Sequence, residues 1–265
     1  MKNFKPIFNC SLCFLVLLLL YFISAVLSLI LHIHGKYLEI IGCIDVFFTI
    51  IFCIWILKLN KRKSFIKWDY KNIQIKNMLF LILIVVSYYI FTTYMLYITK
   101  LNQYFKTPSV DVEFMINSPF IATLFLFIID PILVEVLFRG IFFNELKRIS
   151  PIIVALIIQA IFFGFIYGTF FNAFLNGVLL AIIYLWLKTI WAPIIANIIL
   201  RIIGYLKLTT FIINKLPSYF HGLPLLMISF LIFIFSIYPI WKNRKEIFQK
   251  TLDNTGELIE GKDGD

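Results

Sequence analysis

Glu135 and Arg139 stand four residues apart in the otherwise apolar run 132–140, which reads ILVEVLFRG. A carboxylate accepts protons and hydrogen bonds while a guanidinium only donates, so the two together suit either acid–base work or mutual neutralisation. On a helix this spacing stacks them on one face with the acid N-terminal, the favourable order for a pair. Other polar groups interrupt the apolar sequence nearby: Asp130 just before this run, Gln159 and Tyr167 in the next, and Asn197 and Arg201, again four apart, further along. Polar side chains at such positions are costly in hydrocarbon, which makes them the first candidates for function.

The elements that must position these groups follow from composition. With 62% apolar, 18% aromatic and only 14% charged residues, the chain lies outside the range of a soluble domain and reads as a membrane protein. About 20 apolar residues cross a hydrocarbon core as a helix, and the runs lack the alternation of a membrane β-strand. The expected fold is all-α, a polytopic transmembrane helix bundle of about eight spans: 8–31, 38–57, 78–99, 119–146, 151–167, 169–187, 190–206 and 223–241. Pro151 and Pro193 fall where helix starts tolerate proline, Gly168 separates the fifth and sixth spans, and Gly222 with Pro224 precedes the eighth. Residues 1–241 then form one transmembrane helical domain. Residues 242–265 form a cytoplasmic tail whose acidic, aromatic-poor end has the composition of a disordered segment.

Charge sets the orientation. With a cytoplasmic N-terminus, 17 of the 24 basic residues fall on inside segments and five outside, and Arg139 and Arg201 lie within spans. The positive-inside rule therefore predicts that both termini are cytoplasmic. The net charge of +10 reads as this orientation signal and as attraction to anionic lipid, with no nucleic-acid partner. The first apolar run is too long for a signal peptide and lacks a small-residue cleavage pattern. Cys10, Cys13, Cys43 and Cys53 fall in or beside the first two spans and read as apolar packing, while residues 61–77 have the lysine and aromatic mix of an interfacial anchor.

Three motifs in order, VEVLFRGIFFNEL, FFGFIYG and WAPIIANIILR, resemble the CPBP family of CAAX proteases and bacteriocin-processing (Abi) proteins. The resemblance covers about residues 119–206. It implies an intramembrane endopeptidase core with E-E-x-x-x-R, F-x-x-x-H and H-x-x-x-N on successive helices. This chain keeps the second glutamate as Glu135, the arginine as Arg139 and the phenylalanine as Phe163. It has Val134 at the first glutamate, Tyr167 and Asn197 at the two histidines, and Arg201 at the asparagine.

Those replacements remove the chemistry the resemblance implies. Valine has no proton to exchange, a tyrosine with an ordinary pKa near 10 is a poor base, and a permanent cation at Arg201 opposes metal binding. His32 and His34 end the first span and His221 sits in a loop, so neither a metal site nor a cofactor is expected. The motif positions Val134, Glu135, Arg139, Tyr167, Asn197 and Arg201 are thus read as a degenerate set with no catalytic residue expected. Three functions compete. One is a non-catalytic pseudoprotease that binds and positions or regulates a membrane or cell-envelope partner protein. Another is a bacteriocin-immunity or small-ligand-handling membrane protein, and the third is an active protease using Glu135. A multi-pass protein of a bacterial cytoplasmic membrane is the expected setting.

Overall fold

In hydrocarbon no water is available for backbone N–H and C=O groups, so apolar runs punctuated by proline and glycine fold as helices. A computed structural model of the protein describes residues 74–99, 124–166, 170–206 and 223–242. It also describes residues 47–52 and Leu12, Leu15, Leu19, Ile23, Val26, Ile44, Ile54 and Trp55. No strand occurs among these residues, in line with the helical bundle expected. The parts of the first two spans that are described are helical. The chain divides into two compact units, Met1–Trp68 with Pro108–Ser150, and Asp69–Thr107 with Pro151–Asp265.

In the second unit, α1 covers Ile75–Thr99, α3 Ile152–Ile166, α4 Phe170–Leu187, α5 Trp191–Tyr205 and α6 Leu223–Lys242. Helix α3 packs on α4, α6 on α1, and α5 on both α1 and α4. The α1–α6 seam is aromatic, with Phe91 stacked on Phe233 at 6.0 Å and against Phe230 at 5.2 Å, and the Ser87 and Ser236 hydroxyls meet within it at 3.3 Å. In the α3–α4 seam Ala160 faces Gly177, small residues that let two backbones approach closely. A Cβ at Gly177 would lie 3.0 Å from Ala160 Cα, and Gln159 Nε2 donates to the Gly177 carbonyl at 2.8 Å.

The turn between α4 and α5 needs only three residues. Lys188 takes the left-handed conformation at φ 54° and returns its N–H to the Tyr184 carbonyl at 2.9 Å, the arrangement that usually recruits glycine after a helix. Thr189 is fully buried, and its Oγ1 accepts the Trp191 N–H at 3.4 Å as α5 begins.

Helices α1, α4 and α6 are long and apolar enough to cross a membrane. Helices α3 and α5 have 15 residues each. At 1.5 Å per residue each is about 22 Å long, short of a hydrocarbon core of about 30 Å.

In the first unit, residues 125–146 form α2, a rod of four joined pieces. Phe125–Ile129 is π-helical, Asp130–Glu135 α-helical, Val136–Phe142 π-helical and Phe143–Leu146 α-helical. The junction residues Ile129, Glu135, Val136, Phe142 and Phe143 all keep right-handed helical dihedrals, so the rod is continuous. Pro131 explains the first π piece, because it lacks the N–H that would bond back four residues to Phe127. Gly140, inside the second, lowers the cost of leaving α geometry. From Val134 to Leu146 every residue is buried, the polar Glu135, Arg139, Asn144 and Glu145 included.

Candidate functional site

The buried charges of α2 sit on the junction between its central α piece and its second π piece. Glu135 is the last residue of the α piece and Arg139 lies in the middle of the π piece. Their side chains meet through Arg139 Nη1 and Glu135 Oε1 at 3.1 Å, and both are 0% exposed. The Arg139 guanidinium also lies 6.0 Å from the centroid of the Phe138 ring, at the outer edge of cation–π range. Val134, next to Glu135, is buried and offers only methyl groups. Asp130 is buried one turn nearer the start of the rod.

Two neighbouring residues were not singled out by the sequence. Glu145 is buried at the far end of α2, 3.7 Å from the Arg148 guanidinium, whose side chain is 26% exposed. Its signal was legible as an acid followed three residues later by a base where the apolar run ends. Asn144 Nδ2 donates to the Gly140 carbonyl at 2.9 Å, and nothing in its local sequence announces that bond.

The remaining motif positions belong to the second unit. Asn197 is buried on α5, and Arg201 follows one turn later, half-buried on the same side of that helix. Phe163 is buried on α3. Tyr167 lies outside the described residues, as do His32, His34, His221 and the four cysteines. The structure therefore joins Glu135 to Arg139, and places Asn197 and Arg201 on one helix face. Among the described residues, no three of His, Cys, Asp and Glu gather as a metal site would require.

Chemically, the Glu135–Arg139 pair is already engaged. The contact runs through Oε1 of the carboxylate, and a buried charge deprived of its partner is costly.

Residues 116–203 match the family model of the type II CAAX prenyl endopeptidase Rce1-like proteins. The match takes in every motif position from Val134 to Arg201, and it is consistent with the CPBP resemblance. No curated protein and no solved structure matches the chain.

Proposed function

We propose that this chain is a membrane protein of the CAAX-protease type and a pseudoprotease, a non-catalytic relative that binds and positions or regulates another membrane or cell-envelope protein. One observation carries the reading. The surviving acid Glu135 is fully buried and bound to Arg139 at 3.1 Å, beside a valine where the family places its water-activating glutamate. Tyr167, Asn197 and Arg201 remove the rest of the set. What the chain retains is a helical framework in the membrane, and a framework without a hydrolytic centre can still act by contact.

Purified protein in detergent or liposomes is expected to cleave neither prenylated nor ordinary peptides. Product formation that disappears in Glu135→Gln would overturn the proposal and restore the protease reading. Purification in mild detergent should return a specific membrane or envelope protein, and purification from that partner's side should return this chain. Protection of cells against a peptide toxin, with no such partner recovered, would instead support the immunity reading.

The same proposal includes a bacterial cytoplasmic membrane, several crossings and both termini inside. The distribution of lysines and arginines supports this orientation. Reporter fusions after Lys63 and after Lys245 should read cytoplasmic, and a fusion at Thr107 external. An external reading at Lys63 would invert the orientation or remove a span.

A further inference from the structure

Hydrogen-bond counting along α2 singles out Asn144. At the end of the second π piece the Phe143 N–H bonds five residues back, to the Phe138 carbonyl. Four residues later the Lys147 N–H bonds only four back, to the Phe143 carbonyl, at 3.0 Å. Between these two bonds lie four carbonyls, those of residues 139–142, and three backbone N–H groups, those of residues 144–146. A change from five-residue to four-residue bonding always leaves one carbonyl over. In a helix buried on every side, that carbonyl must share an N–H or find a donor elsewhere. Asn144 Nδ2 supplies one, to the Gly140 carbonyl, at 2.9 Å and inside the protein.

We infer that Asn144 is a positioning residue that closes the π piece and so fixes the rotational register of α2 between Glu135 and Glu145. The inference is independent of the partner-binding reading. With the extra donor in place, the π piece ends at Phe142 with its carbonyls satisfied. Without it, the all-α register satisfies residues 139–142 better. That register would turn the last piece, which carries Glu145 and leads into Arg148, by about one residue, or roughly 100°, relative to the Glu135–Arg139 pair. Asn144 thereby holds the two charge pairs of this helix in their relative orientation.

The test separates the donor from the space it fills. Serine and alanine occupy nearly the same volume, yet a serine hydroxyl on a helix can donate to the carbonyl four residues back. Ser87 does so to Leu83 at 2.7 Å, and Ser150 to Leu146 at 2.9 Å. Protein labelled with [1-13C]glycine, its Gly140 signal assigned through Gly140→Ala, should show that carbonyl unmoved in Asn144→Ser and displaced in Asn144→Ala. The thermal midpoint of Asn144→Ala should fall roughly 2–4 °C below that of Asn144→Ser. Asn144→Leu, which fills the space without donating, should behave like Asn144→Ala. Folding of the serine variant alone would also support the role. Equal behaviour of the serine and alanine variants, including failure of both to fold, would overturn it, as would a leucine variant that matches the parent.

Discussion

Glu135→Ala and Arg139→Ala are each expected to destabilise the protein by about 3 to 5 kcal/mol, because each strands a charge where water does not reach. The size of the effect follows from burial, since both side chains are 0% exposed and their contact is a direct 3.1 Å hydrogen bond. An exposed ion pair is worth about 0 to 1 kcal/mol, so the partly exposed Arg148 opposite Glu145 at 3.7 Å sets no such expectation. Replacing both partners, as in Glu135→Met with Arg139→Leu, removes the stranded charge and should cost much less than the two alanine variants added together. Arg139→Lys should fall between these cases, because it keeps the charge and loses the planar fork. Thermal unfolding in one detergent, read as a double-mutant cycle, measures the coupling. Additive effects would mean that the pair is not an interacting unit and would remove the observation on which the pseudoprotease reading rests.

What the sequence disclosed was chiefly local. The Glu135–Arg139 contact is an i,i+4 relation, and four residues are enough to define it. Helix ends were legible where punctuation is strong and the flanking residues are described: the start expected at 151 is Ile152, the end expected at 187 is Leu187, and the span expected at 190–206 is Trp191–Tyr205. The register of α2 was not legible. An apolar run gives no sign of whether its N–H groups reach back four or five residues, and only Pro131 marked one of the two π pieces. Lys188 shows the same limit from another side. Helix-ending rules expect glycine or asparagine in a left-handed position, whereas here the short turn into α5 imposes that conformation on a lysine. Of the candidate site, Val134, Glu135, Arg139, Asn197 and Arg201 lie on helices as their runs implied. The bond from Asn144 and the one from Gln159 to Gly177 depend on backbone geometry and on a partner helix, neither of which residue types encode.

Gly177→Leu should be among the most damaging single changes in the second unit, for reasons that set packing against helix propensity. A Cβ at Gly177 would meet Ala160 Cα at 3.0 Å and the Cβ atoms of Ala160 and Phe163 at 3.3 Å. The closest of these is backbone, which cannot move aside as a side-chain tip can. Overpacking of this kind costs about 1–3 kcal/mol, while alanine in place of a mid-helix glycine returns about 1 kcal/mol of propensity. Gly177→Ala should therefore be mildly destabilising. Leucine adds three further carbons into the same contact and must push α3 from α4, which also breaks the 2.8 Å bond from Gln159 to the Gly177 carbonyl. Its cost should exceed about 3 kcal/mol, the upper end of ordinary overpacking. Because that bond is lost in either case, Gln159→Ala should add less to Gly177→Leu than it costs alone. Gly204 on α5 provides the control: a Cβ there would meet only the Tyr89 side chain at 3.9 Å, so Gly204→Ala should be neutral or slightly stabilising. Thermal midpoints in one detergent decide the matter. A Gly177→Leu protein as stable as the Gly204→Ala protein would show that α3 and α4 do not rely on this close approach.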